Sequence, residues 1–167
     1  MLGELDEAGN TTTLAHYADL LSGVGLIGNV QKYAAQKVRQ KGSSPKFCVY
    51  NTALMTAQSN TTYQHARADH QFWGRLVESS VGAYLLNSAR GTQVEVFYWR
   101  EGDKEVDFVL RRGTSITALE VKSGAVSRSR AGMTSFVAAF NPSRILLVGE
   151  QGLPLEEFFH TSILDIV

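Results

Sequence analysis

Two tight turns constrain this chain more than any other feature. Val94 to Arg100, Glu105 to Arg111 and Ile116 to Lys122 each read as strands. Only Glu101-Gly102-Asp103-Lys104 and Arg112-Gly113-Thr114 separate them. Linkers this short leave no room for a crossover, so the three runs are expected to form an antiparallel meander. If Gly113 and Thr114 make a two-residue turn, Asp107 falls directly opposite Glu120.

Helical patterns flank the meander. Over residues 71–88, Trp73, Val77, Val81, Tyr84 and Leu85 recur as one apolar stripe. Met133, Phe136, Val137 and Phe140 mark a second helix, with Ser127 or Ser129 as its cap. Arg144 to Val148 is a short, continuously apolar run of the kind buried beside a parallel neighbour. The expected order is therefore helix, three strands, helix, strand: a mixed α/β (α+β) αβββαβ core. Leu155, Phe158 and Phe159 suggest a short element that closes it.

The part before this core differs in charge. The whole chain, 167 residues long, balances 16 basic against 16 acidic side chains. No Asp or Glu, however, lies between Asp19 and Asp69, where Lys32, Lys37, Arg39, Lys41, Lys46 and Arg67 fall. Caps at Asn10 to Thr13 and apolar Leu14, Tyr17, Leu20 and Leu21 predict a helix that Ser22-Gly23 stops. Leu26 to Tyr33 and Lys46 to Tyr50 then read as a hairpin around Lys41-Gly42-Ser43-Ser44-Pro45. A helix followed by a long basic hairpin outlines a partial winged helix, as if cut from a longer chain. Two domains are expected: a winged-helix-like segment over 1–60 and the αβββαβ unit over 61–167.

Several function classes fall away. Hydrophobic residues make up 44% of the chain and Pro only 3 residues, which excludes a low-complexity or disordered chain. The acidic start, Glu4, Asp6 and Glu7, does not suit a signal peptide. No run approaches the roughly 18 apolar residues of a membrane span. A cytoplasmic location is expected. Gly23 to Gly28 matches GxGxxG, but a helix precedes it and a strand follows, the reverse of a dinucleotide site. Cys48, His65 and His70 lack the paired cysteines of a zinc finger.

The meander carries the chemistry. Glu120 and Lys122 share a strand face, and Asp107 would oppose Glu120. Like charges at that spacing destabilise a sheet. A divalent cation between them removes the conflict. Glu78, at the rim of the helical stripe, supplies a third carboxylate. Glu78, Asp107 and Glu120 form an oxygen-ligand set suited to Mg²⁺ or Mn²⁺, and Lys122 would serve a phosphate or an attacking water. Arg128 and Arg130, near a helix start, could grip phosphate.

These residues resemble a known family. Gly74 to Glu78, Phe97 to Arg100, Glu105 to Phe108 and Leu119 to Lys122 resemble a PD-(D/E)XK nuclease-like domain. More closely, they resemble the domain of unknown function at the carboxy-terminal end of many bacterial and archaeal AAA-type ATPases. Val106 stands where the family signature has proline. The resemblance implies Mg²⁺-dependent phosphodiester cleavage, with Glu78, Asp107 and Glu120 as metal ligands and Asp107, Glu120 and Lys122 as catalytic residues. It also implies an ATPase domain or partner protein.

DNA is the expected substrate, docked on the basic hairpin through Lys32, Lys37, Arg39, Lys41 and Lys46 and near the site through Arg128 and Arg130. The alternative is a catalytically idle DNA-binding or protein-docking module serving a separate ATPase. Paired carboxylates would also suit a carbohydrate or small-molecule enzyme, but Lys122 and the arginines favour phosphate over sugar.

Overall fold

Both turns fold as their glycines require. Glu101 pairs with Lys104 and Arg112 with Ser115, leaving two-residue loops. Gly102 and Gly113 take φ of +60° and +59°, the first-position conformation of hairpin turns that match strand twist. A computed structural model describes residues 11–35, 43–124 and 131–167.

Among these residues there are seven helices and one six-stranded mixed sheet. In chain order they are α1 (Thr11–Gly23), β1 (Ile27–Lys32), β2 (Lys46–Val49), α2 (Ala53–Ser59), α3 (Tyr63–Ala68) and α4 (His70–Ala89). There follow β3 (Glu95–Glu101), β4 (Lys104–Arg112), β5 (Ser115–Lys122), α5 (Ala131–Phe140), β6 (Arg144–Gly149), α6 (Leu155–His160) and α7 (Ile163–Ile166). The helix–three strands–helix–strand order is present. So is the two-residue register after Gly113: Phe108 pairs with Leu119. β6 runs parallel to β5, as its continuous apolar run predicts.

The strand order is β2-β1-β3-β4-β5-β6. The β1–β2 hairpin, assigned from sequence to a winged-helix-like segment, is the edge of this same sheet. Gln31 and Lys32 of β1 pair in parallel with Phe97 and Tyr98 of β3. The short helices α2 and α3, which apolar spacing did not reveal, lie on either side of the expected boundary near residue 60. No helix among the described residues is long and apolar enough to cross a membrane.

Each sheet face has its own core. On one, Val81 and Leu85 of α4 and Phe158, Ile163 and Ile166 of α6 and α7 pack on Phe108, Leu110 and Leu119. On the other, Phe136 of α5 packs with Tyr33, Phe97, Trp99, Val106, Val109 and Ala118. Phe108, Phe136 and Phe158 are fully buried, each worth about 1.5–3 kcal/mol relative to exposure. Asp69 starts α4, its carboxylate accepting from the N–H groups of Gln71 and Phe72 at 3.0 Å. Gly82 lets that helix approach the sheet closely. A Cβ there would lie 2.5 Å from Cys48 Sγ and 2.9 Å from Phe108 Cζ. One turn earlier, the same helix presents Glu78.

Strict alternation fails at one place, and it decides the site. Phe97 pairs with Val109, yet Trp99 pairs with Val106. Two residues of β4, Asp107 and Phe108, therefore span one residue of β3, a β-bulge. Alternation put Val106 on the face of Phe108 and Leu110. The bulge instead sends Val106 to the α5 core and leaves Phe108 in the α4 core.

Candidate metal centre

The bulge has a second consequence. With Val106 turned towards α5, its neighbour Glu105 comes to the α4 side, where Glu78 projects from the helix. The β4–β5 pairing ends at Phe108 and Leu119, and the Asp107 carboxylate takes over. Its Oδ2 accepts from the Val121 N–H at 2.8 Å. Carboxylate oxygens of Glu78, Glu105 and Asp107 consequently lie within 4.8 Å of one another. This donor set is all oxygen and anionic, which suits a hard divalent cation such as Mg²⁺ or Mn²⁺. α5 packs hard against this stretch of backbone, since a Cβ on Gly132 would overlap the Glu105 carbonyl.

A lysine reaches the middle of the three. Lys46, the first residue of β2, pairs with Val30 and points with it to the α4 side. Its Nζ lies 2.5 Å from Glu78 Oε1, 2.9 Å from Glu105 Oε1 and 3.7 Å from Asp107 Oδ1. Only 17% of its side chain is exposed. Sequence reasoning placed Lys46 on a DNA-facing hairpin. The structure commits its ammonium to the interior.

Electrostatics follow from that crowding. Burial works against the Lys46 ammonium, but the charges of Glu78, Asp107 and Glu105 outweigh it and hold its pKa above the usual lysine value. Asp107 is pushed up to about 7. Burial is the main cause and the charges of Glu78 and Glu120 add to it, while Lys46 and the Val121 N–H pull the other way. Burial also lifts the Cys48 thiol to about 11. Cys48 sits in the core, whereas His65 and His70 are exposed.

Glu120 and Lys122 make a pair of their own. Lys122 Nζ donates to Glu120 Oε1 at 2.6 Å, and their side chains are 15% and 18% exposed. Leu119 and Val121 pack on the α4 side, so the alternating Glu120 and Lys122 belong to the other face. Glu120 is still near enough for its charge to reach Asp107. The structure thus brings Glu78 and Asp107 together, adds Glu105, and engages Glu120 with Lys122. Lys32 is half-buried on β1. Lys37, Arg39, Lys41, Arg128 and Arg130 lie outside the described residues.

Sequence reasoning missed Glu105 although strict alternation gives it the face of Asp107: neither the Asp107–Glu120 conflict nor the family pattern drew on it. Nothing local marks the bulge. Lys46 did leave a signal. Three converging carboxylates demand a cation, and the acid-free stretch before Asp69 was the obvious source of one.

No curated protein and no solved structure matches the chain. Residues 73–165 match a family described as "Domain of unknown function (DUF4143)". That span holds five of the six residues of the two clusters; the sixth, Lys46, enters from an earlier strand. Because the match covers more than half of the chain, the protein belongs to the DUF4143 family.

Proposed function

We propose that this protein is a PD-(D/E)XK-like, divalent-metal-dependent phosphodiesterase domain that acts on DNA. The convergence of Glu78, Glu105 and Asp107 carries the reading. Glu78, Asp107 and Glu105 would hold Mg²⁺ or Mn²⁺, with Glu120 as the neighbouring carboxylate. A bound divalent ion would polarise a phosphate oxygen and make a bound water nucleophilic near neutral pH. The bulge fixes Asp107 through its bond to the Val121 N–H. α4 fixes Glu78 through its close approach at Gly82. Lys122, paired with Glu120 on the other face of β5, would serve the charge that grows on a phosphate only from the end of the strand, where the charge of Glu120 reaches Asp107.

The test is cleavage of supercoiled and single-stranded DNA with Mg²⁺ or Mn²⁺, beside a folded Lys122→Ala variant. Metal-dependent nicking lost in the variant is expected. Cleavage by neither metal, from folded protein, overturns the reading. DNA binding through basic residues such as Lys32 would weaken steeply with salt. Binding unchanged from low to moderate salt overturns that part.

One observation favours a second reading. Lys46 already neutralises part of the acidic centre, as a purely structural ion cluster would require. On that reading the domain is a catalytically idle DNA-binding or docking module for an ATPase domain or partner protein. Folded protein that binds neither Mg²⁺ nor Mn²⁺ supports it.

A further inference from the structure

We propose that Lys46 is a removable plug: a divalent cation enters this centre only as the Lys46 ammonium leaves it. The inference rests on reading Glu78, Glu105 and Asp107 as a cation site. Three observations lead beyond that reading.

First, the ammonium and a metal ion draw on the same carboxylates. Lys46 Nζ takes Glu78 Oε1 and Glu105 Oε1 at 2.5 and 2.9 Å. A divalent ion held between these acids would compete with the ammonium for the same space. Second, the acids stand wider apart than a small divalent ion would hold opposite ligands. Opposite ligands of octahedral Mg²⁺ stand about 4.2 Å apart, twice its bond length of roughly 2.1 Å. The carboxylate oxygens here spread over as much as 4.8 Å. A small divalent ion would draw them in by a few tenths of an ångström.

Third, Lys46 is placed to leave. It is the first residue of β2, and β2 is the edge of the sheet. Its backbone pairing, Val30 with Lys46, is the terminal pair of a four-pair ladder. Pro45 before it has no N–H to give up. The remaining pairs and the bonds between Ser79 Oγ and the Val49 backbone keep the rest of the strand on α4. Three carboxylates against one ammonium leave an excess of negative charge. A divalent ion cancels more of it than the lysine does, which supplies the drive for exchange.

The experiment reads Lys46 directly in the intact wild-type chain. An amine-acetylating reagent is applied with and without Mn²⁺, and peptides are quantified by mass spectrometry. Exposed Lys104 is the internal reference. Mn²⁺ affinity is measured in parallel for wild type, Lys46→Gln and Glu78→Gln. The expected result is Lys46 labelling that rises several-fold on Mn²⁺ binding. Lys46→Gln should bind Mn²⁺ about tenfold more tightly or better, and Glu78→Gln more weakly than wild type. Mn²⁺ bound by Lys46→Gln alone overturns the removable plug, because the lysine then closes the site permanently.

Mn²⁺ binding that Glu78→Gln weakens, with Lys46 labelling unchanged, overturns the plug and leaves the cation site standing. Absence of Mn²⁺ binding in both wild type and folded Lys46→Gln overturns the cation site, and the plug with it. Should Lys46→Gln not fold, the wild-type labelling decides.

Discussion

Two lysines sit beside carboxylates in this protein, and their surroundings differ. Lys122 faces one acid two residues away on its own strand, at 2.6 Å. That pair is neutral and local, and it forms wherever β5 forms. Lys46 faces three acids from two other elements, and its bond to Glu105 spans 59 residues of chain. That cluster is anionic and exists only when α4, β2 and the β4 bulge are all in place. The first is a property of a strand. The second is a property of the fold, so the second should respond far more to substitution, pH and metal.

The largest expected effect tests that difference directly. Lys46→Met strands three partly buried carboxylates without a cation. Removing one partner of a buried ion pair costs about 3–5 kcal/mol. Lys122→Met strands one carboxylate and loses one charged hydrogen bond, about 1–2 kcal/mol. Urea unfolding in the presence of a chelator, at neutral pH, measures both. Equal losses would mean that the acidic cluster is not cohesive, and the comparison would fail.

Next comes pH. Asp107 has its carboxyl raised from 3.8 to about 7 in the folded state. Between those values the folded chain binds more protons at this residue than the unfolded chain does. Stability from Asp107 is therefore fully present below pH 4 and falls as pH rises through 7. The span corresponds to as much as about 4 kcal/mol, at 1.36 kcal/mol for each pKa unit. Asp107→Asn keeps an oxygen for the Val121 N–H and removes the charge. It should stabilise the metal-free protein at pH 8 and change little at pH 4.5. Denaturant midpoints across that range measure it. A variant less stable than wild type at pH 8 would show that Lys46 needs the Asp107 charge more than burial penalises it.

The same contrast explains how far the sequence could be read. The meander, its register, the flanking helices and the parallel β6 were legible because turn glycines and apolar periodicity are local signals. The register that sets Asp107 opposite Glu120 was legible for the same reason as far as Phe108 and Leu119, but there the ladder ends and the Asp107 carboxylate takes the Val121 N–H instead of facing Glu120. The bulge beside that point was not legible. One extra residue in β4 flips Val106 and delivers Glu105, and a bulge is decided by packing on both faces rather than by local propensity. Lys46 was legible as basic. Its inward direction depends on β1 joining β3, a contact between strands more than 60 positions apart. Local patterns thus located the acids, and long-range pairing chose their partner.

The smallest expected effect separates burial from distance as the cause of this contrast. Arg111 and Glu95 face each other across β3 and β4, with Nη2 to Oε2 at 2.7 Å and Nε to Oε2 at 2.8 Å. Those distances match the tight contacts of Lys46. The setting does not: the two side chains are 33% and 54% exposed. Water already solvates both groups, and salt screens their attraction. Arg111 also keeps its place over the Phe97 ring, at 5.1 Å, with or without its acid. Glu95→Gln should cost about 0–1 kcal/mol, less again at high salt. The Lys46 cluster, shielded from solvent, should keep its much larger coupling as salt rises. If Glu95→Gln costs as much as Lys46→Met in the same urea assay, contact distance alone would set the energy. The acidic centre would then have no special claim on a cation.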